Sequence, residues 1–321
     1  MPNLHTAITG LHAAPADLLT LAEMDGEHLR ALFALTARLK ADVTPYRNAL
    51  DAKSIVMLFE KPSLRTRLSF EVGIAKLGGH PIYFDHAASP IGQRESVKDY
   101  ARNLERWVDC IIARVKHHAV LQEMAAHSSV PVINALSDLA HPCQALADFF
   151  TLQERLGTLE GKKLAYIGDG NNVCHSLIMA AAKLGVSITV VAAKGFEPQF
   201  SVLQEATRCI SADAKIRVTS DPAHIAGHDA VYTDVWVSMG QDAQTEARNA
   251  FFEDYQVNDA MMARAGSNAL FMHCLPAKRG QEVTDSVIDS PNSVVYDQAE
   301  NRMHVQNALL LHMLAGVELE S

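Results

Sequence analysis

Short apolar runs alternate with helical segments along most of this chain, and that alternation constrains the fold more than any other feature. Residues 54–59 form an apolar run of strand length, and residues 65–77 carry apolar side chains at helical spacing. Further candidate strands lie at residues 81–84, 110–113 and 130–133, and candidate helices at 96–108 and 119–127. Strands that alternate with helices in this way are typical of a parallel sheet covered by helices on both faces.

A second series of the same kind begins near residue 163, after a long helix that is predicted to start at Pro142 and run to residue 157. Its candidate strands lie at residues 164–167, 187–193, 215–219, 230–235 and 269–273, and a last apolar helix is predicted over 303–314. A length of 321 residues suits two domains. We therefore predict an α/β protein of two domains, each a parallel sheet flanked by helices. The domains span residues 1–150 and 151–302, and a C-terminal helix in 303–321 packs back on the first.

The charge and the cysteine content exclude several kinds of partner and site. The formal charge is −9 and no Lys/Arg run exceeds two residues, which argues against a nucleic-acid partner and an anionic membrane surface. The five cysteines are scattered without a C-x-x-C pair, so neither a disulfide framework nor a cysteine zinc site is indicated. The N-terminal residues lack the pattern of a signal or transit peptide, and no apolar run reaches membrane-spanning length. We therefore expect a cytoplasmic protein.

The motif FEKPSLRTR joins the first apolar run to the first helix and gives the sharpest chemical signal. A helix N-terminus offers unpaired N–H groups to an anion. Ser63 and Thr66 add hydroxyl donors, and Arg65 adds a charged fork that suits phosphate. The alternative is a helix cap with surface arginines, in which Arg67 pairs with Glu71. We favour phosphate binding because the whole cluster follows the end of a strand, where open α/β sheets bind ligands.

Two more signals lie in the first half of the chain. His141 and Gln144 are three residues apart at a loop-to-helix junction, so both can point from the first turn into one cleft. His141 could polarise a carbonyl and Gln144 could accept from an amide, although a lone histidine is more often structural. Arg114 follows a strand, where an arginine is usually either ion-paired or functional.

The second half contains a glycine motif that does not complete a dinucleotide site. Gly168-x-Gly170 follows a strand, but Val173 stands where a third glycine or alanine belongs. The next strand ends without the acid that would bind a ribose, which argues against a nicotinamide-dependent oxidoreductase. Asn171 and Asn172 offer amides at a helix start, either as caps or as ligands for a polar zwitterion.

Polar side chains also follow three later elements. Asp234 follows a strand and precedes Ser238-Met239-Gly240, and Cys274 follows another strand. Arg302 stands ahead of the last predicted helix. As alternatives to a functional role, Asp234 can form a turn and Cys274 can be a small core residue.

Together these motifs resemble the aspartate/ornithine carbamoyltransferase family, and the resemblance runs from about residue 25 to 315. SLRTR at 63–67 and HPCQ at 141–144 are similar to the two carbamoyl-phosphate motifs of the family. DVWVSMG at 234–240 and HCLP at 273–276 are similar to its ornithine branch. The resemblance implies transfer of a carbamoyl group from carbamoyl phosphate to the δ-amine of L-ornithine, which gives L-citrulline and phosphate. It implies no metal and no organic cofactor, because the leaving phosphate is already activated.

The resemblance also assigns roles residue by residue. It implies that phosphate is held by Ser63, the backbone of Leu64, Arg65, Thr66 and Arg114. It implies that the carbamoyl group is polarised by Thr66, Arg114 and His141 and fixed by Gln144, the Leu275 carbonyl and Arg302. Ornithine would be held by Asn172, Asp234, Ser238 and Met239. Cys274 would lie beside both carbamoyl phosphate and the reacting amine, and Cys274, Asp234, Arg114 and His141 would carry the catalytic roles.

The resemblance further implies a homotrimer, or a multiple of trimers, in which residues 87–95 of one subunit complete the site of its neighbour. Two residues depart from the family pattern: Leu64 stands where threonine is usual, and Pro90 stands where the ornithine branch has a polar residue. Variation at the second position keeps an N-acylornithine carbamoyltransferase open as an alternative. A catalytically inactive regulatory homologue is the non-enzyme alternative, but the motif arginines and Cys274 are all present.

Overall fold

A computed structural model describes residues 11–12, 14–236 and 251–320, and every structural statement below concerns those residues. The first half of the chain contains, in order, β1 (Leu11–His12), α1 (Gly26–Ala41), β2 (Ser54–Phe59), α2 (Leu64–Lys76), β3 (His80–Asp85), α3 (Val97–Leu104), β4 (Cys110–Arg114), α4 (His118–His127), β5 (Val132–Leu136) and α5 (Pro142–Leu156). Strands β3-β2-β4-β5 form one sheet in that order, and every neighbouring pair is parallel.

The second half repeats the architecture. It contains β6 (Lys163–Ile167), α6 (Asn172–Leu184), β7 (Ser187–Val191), α7 (Phe200–Cys209), β8 (Ile216–Thr219), β9 (Ala230–Thr233), α8 (Asp259–Ala265), β10 (Leu270–His273), α9 (Asp285–Ile288), α10 (Val295–Ala315) and β11 (Leu319–Glu320). Strands β10-β9-β6-β7-β8 form a second parallel sheet, and β1 pairs with β11 antiparallel. The predicted α/β class with two helix-flanked parallel sheets is confirmed.

Strand register places the functional segments at two sheet edges. In the first sheet Phe59 pairs with Arg114, so the segment after β2 starts beside the last residue of β4. In the second sheet Thr233 pairs with both Ile167 and His273, so the segments that follow β6, β9 and β10 leave the sheet at one level. Parallel strands end at the same edge, and that edge is where such sheets bind ligands.

The C-terminal helix α10 packs against α1, α2 and α5 of the first half, as predicted. Leu309, Leu310 and Leu311 are fully buried in this contact. The helix begins at Val295 and not near residue 303, so Arg302 lies within it and not ahead of it. The apolar pattern does not reveal the first turns, because their side chains are polar and are nevertheless buried in hydrogen bonds. Gln298 donates to Asp148 at 2.8 Å, and Asn301 to Thr151 at 2.9 Å.

Other element bounds differ from the prediction by a few residues. Strand β5 begins at Val132 and not at 130, since Pro131 has no N–H to give to a ladder. The predicted domain limits at residues 150 and 302 lie inside α5 and α10. Among the helices that the structure describes, none combines the length and apolarity that crossing a bilayer requires.

Candidate active site

A cleft of about 390 Å³ lies between the carboxyl edges of the two sheets. Every predicted site residue within the described part of the chain lines it, namely Ser63, Leu64, Arg65, Thr66, Arg114, His141, Gln144, Asn172, Asp234, Cys274, Leu275 and Arg302. The predicted ornithine ligands Ser238 and Met239 lie outside the described residues. The structure thus brings together side chains from seven segments that are far apart in sequence.

One end of the cleft is the N-terminus of α2. Ser63 caps this helix, because its Oγ accepts from the Thr66 N–H at 3.3 Å. Leu64 and Arg65 lie in the first turn and line the cleft with it. Arg67, two residues after Arg65, does not line the cleft, and its Nε lies 2.9 Å from Oε2 of Glu71. This helix start therefore combines an anion-favouring dipole with one inward arginine.

The Thr66 hydroxyl is oriented by two donors. Its Oγ1 accepts from Nη2 of Arg302 at 2.8 Å and from the Ser63 hydroxyl at 3.1 Å. Both hydrogen bonds use lone pairs of the oxygen, so the hydroxyl proton of Thr66 remains for a ligand. Thr66 is fully buried, which makes that donor more valuable than one in water.

Two buried arginines face each other across this end of the cleft. Arg114 and Arg302 are 4% and 3% exposed, and neither Nε has a partner among the described residues. Burial, together with the charges of Arg302 and Arg65, lowers the pKa of Arg114 to about 10. Arg114 therefore stays charged at neutral pH at an energetic cost that a bound anion would relieve.

His141 and Gln144 present neutral polar groups beside the arginines. Burial, and then the charges of Arg302 and Arg114, hold the pKa of His141 well below its usual range. A neutral imidazole has one N–H, which can polarise a carbonyl oxygen. Gln144 donates its Nε2 to the Asp148 carboxylate at 2.8 Å, and its Oε1 has no partner among the described residues. Gln144 therefore offers an acceptor.

The opposite end of the cleft is built around Asp234. Its Oδ1 accepts from the Cys274 thiol at 3.0 Å and from the Val235 N–H at 2.8 Å. Its Oδ2 accepts from Nδ2 of Asn171 at 2.8 Å. Although Cys274 is partly exposed to the cleft, burial of its thiol and the Asp234 charge raise its pKa well above the usual range. Cys274 is therefore a thiol donor and not a thiolate.

Asn172 also lines the cleft, but its amide is largely occupied. Nδ2 donates to the Ser137 carbonyl at 2.6 Å, and Oδ1 accepts from the Val173 N–H at 3.0 Å. Asn172 thus ties the start of α6 to the loop that precedes α5. Its second amide hydrogen and the remaining lone pair of Oδ1 are what it can offer a ligand.

Asp234, His273 and Cys274 are a cluster with metal-ligand chemistry, since their ligand atoms lie within 4.8 Å of one another. Both ring nitrogens of His273 already have partners, however. Nδ1 accepts from the Leu275 N–H at 2.8 Å, and Nε2 lies 3.2 Å from Oε1 of Glu282. As it stands, the imidazole orients the Leu275 backbone, and a metal would have to displace that bond.

The glycine motif after β6 has a packing explanation. A Cβ on Gly170 would lie 2.3 Å from the Pro198 nitrogen, so only glycine allows the two backbones to approach. Gly170 also donates its N–H to the Phe196 carbonyl at 2.8 Å. The motif therefore serves chain packing, in agreement with the missing ribose acid.

Sequence reasoning missed several residues of the cleft. Lys61 and Lys278 line it, so five cationic side chains and one carboxylate of the described chain face the same space. Burial and the charges of Arg114 and Lys116 lower the pKa of Lys61. Lys61 lies within the FEKPSLRTR motif, which was a usable signal, whereas Lys278 follows a cis Leu275–Pro276 bond that the sequence did not reveal.

Glu60 is another missed residue, and it holds two loops together. It is 5% exposed, and its carboxylate accepts from the Ile91 N–H at 2.8 Å and the Lys116 N–H at 2.7 Å. Ile91 belongs to the predicted shared loop at 87–95. That loop lies wholly within the described residues, and none of its members lines the cleft of its own chain.

Comparison with known proteins agrees with this arrangement. Residues 16–154 match the carbamoyl-P binding domain of aspartate/ornithine carbamoyltransferases, and residues 160–313 match their Asp/Orn binding domain. An ornithine carbamoyltransferase from Shewanella oneidensis is 51% identical over 92% of this chain and 99% of its own. The structure of the ornithine carbamoyltransferase from Pyrococcus furiosus is 44% identical with a TM-score of 0.91, covering 95% of this chain and 98% of that one. The Thermus thermophilus ornithine carbamoyltransferase structure is likewise 44% identical, with a TM-score of 0.84 and coverage of 94% and 99%. The chain belongs to the aspartate/ornithine carbamoyltransferase family.

Proposed function

We propose that the cleft transfers the carbamoyl group of carbamoyl phosphate to the δ-amine of L-ornithine, giving L-citrulline and phosphate. The observation that carries this proposal is the polarity of the cleft. Five cations and a helix N-terminus line the cleft, and the Asp234–Cys274 pair lines it as its one anionic group among the described residues. Carbamoyl phosphate is an anion and the ornithine amine is a cation at neutral pH. Each would therefore bind groups of opposite charge within this cleft of about 390 Å³.

The phosphate lies against Ser63, the Leu64 backbone, Arg65, Thr66 and Arg114. Because the arginines repel one another without a ligand, a phosphate dianion both binds and relieves that repulsion. The same groups stabilise the leaving phosphate as its charge grows. In this proposal the domain that holds them, residues 1–150, binds carbamoyl phosphate.

The carbamoyl oxygen accepts from the Thr66 hydroxyl, the Arg114 guanidinium and the neutral His141 ring. These donors are fixed before the substrate arrives, so they stabilise the developing oxyanion without reorganisation. The carbamoyl NH₂ group donates to Oε1 of Gln144 and to the Leu275 carbonyl. Arg302 acts through Thr66, whose hydroxyl it orients.

The amine enters the second domain, residues 151–302, against Asp234. A δ-amine that titrates like lysine, near pH 10.4, costs about 4 kcal/mol to present in neutral form at pH 7.5. Asp234 binds the ammonium, and the proton then moves through Cys274. The thiol takes a proton from nitrogen while it gives its own to Oδ1 of Asp234, so no thiolate has to form. Asn172, Ser238 and Met239 hold the rest of ornithine, and closure of the two domains brings the substrates together.

We further propose a homotrimer, or a multiple of trimers, with shared sites in the cytoplasm. Helix α2 exposes Leu64, Leu68 and Val72 at helical spacing. The edge strand β3 exposes Ile82 and Phe84 on the sheet face opposite to Tyr83, the residue that contacts α2. An exposed apolar face next to an unpaired strand edge is typical of a subunit interface. Residues 87–95 follow β3 and would reach a neighbour's cleft.

A substrate panel tests the proposal. Purified protein is assayed with carbamoyl phosphate and with ornithine, N-acetylornithine, N-succinylornithine or aspartate in parallel. We expect ornithine to be preferred by at least about tenfold in kcat/KM over each acyl derivative, since a substrate that leaves the polar groups of the site unpaired is disfavoured by that much or more. A preference for an acylated ornithine would instead identify the nearest alternative, and turnover of aspartate would overturn the choice of branch.

A further inference from the structure

We infer that Asn171 is a positioning residue for the reaction: it is held by the start of α6 so that its amide N–H fixes the Asp234 carboxylate. This inference deepens the proposed function and rests on it. The carbamoyl-transfer motifs discussed above assign no role to Asn171.

The orientation of the Asn171 amide is determined by two backbone donors. Its Oδ1 accepts from the Val173 N–H at 2.9 Å and the Cys174 N–H at 3.1 Å, whereas the nearby Tyr166 hydroxyl donates to the Asp169 carbonyl at 2.8 Å. An oxygen must therefore face the helix, and the NH₂ group must face away from it. A flipped amide would bring Nδ2 against two backbone N–H donors.

The group that faces away meets Asp234. Nδ2 donates to Oδ2 of the carboxylate at 2.8 Å, while Cys274 and Val235 donate to Oδ1. Three donors then hold the carboxylate plane, and of these Asn171 is the one at the start of α6. Asn171 does not line the cleft, so it acts through Asp234 and not on the substrate.

The hydrogen bond from Asn171 affects both the charge and the orientation of the Asp234 carboxylate. A donor on Oδ2 favours the ionised carboxylate that binds an ammonium. It also keeps Oδ1 directed to the Cys274 thiol, which is the path for the proton. Without it, the Asp234 carboxylate can turn away from both the thiol and the ammonium site.

Asn171 also caps α6, and a role in capping alone would predict different results. Asparagine, aspartate and serine cap helices about equally well. Asn171→Ser and Asn171→Asp therefore keep the cap in either case, but serine removes the donor to Asp234 and aspartate replaces it with a second carboxylate. A capping role predicts that both variants behave like the wild type.

The experiment compares these two variants with a matched pair at another cap. Asn258 caps α8 through the Met261 N–H at 3.0 Å, and it does not line the cleft. Melting temperature, KM for carbamoyl phosphate, and kcat/KM for ornithine from pH 6 to 10 are measured for Asn171→Ser, Asn171→Asp, Asn258→Ser and Asn258→Asp. The wild type is measured first, and if it forms no citrulline the proposed function fails whatever Asn171 does.

We expect Asn171→Ser to lower kcat/KM for ornithine by about 10- to 100-fold, as the loss of a hydrogen bond to a charged group does. Asn171→Asp should lower it further and move the rising limb of the pH profile to higher pH, because two adjacent carboxylates retain a proton. KM for carbamoyl phosphate and the melting temperature should stay near the wild-type values, and the Asn258 pair should match the wild type throughout. Wild-type ornithine kinetics in both Asn171 variants would overturn the inference. So would a loss against both substrates in parallel with a fall in melting temperature, which is what a failed cap produces.

Discussion

The Cys274 thiol donates a hydrogen bond of 3.0 Å to the Asp234 carboxylate, so the two groups hold one proton between them at the ornithine end of the cleft. Burial and the adjacent negative charge raise the pKa of Cys274 well above its usual range. At neutral pH the proton therefore resides on sulfur, and the thiol is the donor of this hydrogen bond.

The rate at which the Cys274 thiol is alkylated should show whether the thiol keeps its proton. A raised pKa means less thiolate at pH 8, because the thiolate fraction falls about tenfold whenever the pKa rises by one. In a Cys209→Ser background, which removes the exposed thiol, we expect iodoacetamide to modify Cys274 far more slowly than N-acetylcysteine at about pH 8. The rate should still rise almost tenfold between about pH 9 and 10. A rate that levels off by about pH 9.5, one unit above the ordinary thiol pKa of about 8.5, would mean an ordinary or activated thiol and would contradict the donor role.

Arg65 and Arg67 form a matched pair on one helix turn. Arg65 lines the cleft, whereas Arg67 pairs with Glu71 outside it. Arg65→Ala should weaken carbamoyl phosphate binding by roughly 30- to several-thousand-fold, because a charge-assisted contact in a desolvated site is worth about 2–5 kcal/mol. Arg67→Ala should change KM for carbamoyl phosphate by less than about threefold. Equal effects of the two substitutions in steady-state kinetics would refute the phosphate assignment.

Subunit sharing should be visible by complementation. One parent carries Arg65→Ala, and the other carries Gly-Ser-Gly in place of the exposed residues 93–95 of the shared loop. Each hybrid trimer then contains one intact site, so an equal mixture should regain about a quarter of wild-type activity after subunit exchange. A mixture that exchanges subunits yet stays inactive, or an active monomer in sedimentation, would exclude shared sites.

Asp148 should make stability depend on pH in a predictable direction. Burial raises its pKa to about 6, although hydrogen bonds from Gln298 and Gln144 act to lower it. The folded state therefore prefers the protonated form, and stability falls by up to about 3 kcal/mol as pH rises from below about 4 through 6. Asp148→Asn removes that titration, so the variant should gain stability relative to the wild type between about pH 4 and 8. Urea unfolding at fixed protein concentration tests this, and a stability difference that stays constant with pH would contradict it.

The fold was largely predictable because its signals are local. Strand β2 was assigned correctly from its apolar run alone, since a buried parallel strand carries a continuous apolar stretch. The start of α10 was missed because Gln298 and Asn301 are polar yet buried. Their partners Asp148 and Thr151 lie 150 residues away, and no local pattern can reveal such a pairing.

The site was predictable where a motif carries the chemistry, as at Ser63 and His141. It was not predictable where a residue acts by holding another one. Glu60, Asp148 and Asn171 each support a neighbouring functional group through one or two hydrogen bonds. From its position in the sequence, Asn171 has two possible roles, as a cap or as a ligand. The 2.8 Å hydrogen bond from its Nδ2 to Asp234 reveals a third role, which is to orient that carboxylate.

Transfer of the carbamoyl group from carbamoyl phosphate to the ornithine amine within this one cleft can be followed with an isotope label. Carbamoyl phosphate labelled with ¹³C at its carbonyl is incubated with the purified protein and ornithine, and citrulline and phosphate are measured by mass spectrometry and colorimetry. We expect labelled citrulline with one phosphate released per citrulline, and loss of both products in Asp234→Ala. Release of phosphate without labelled citrulline would contradict it, since the cleft would then hydrolyse carbamoyl phosphate and not transfer its carbamoyl group.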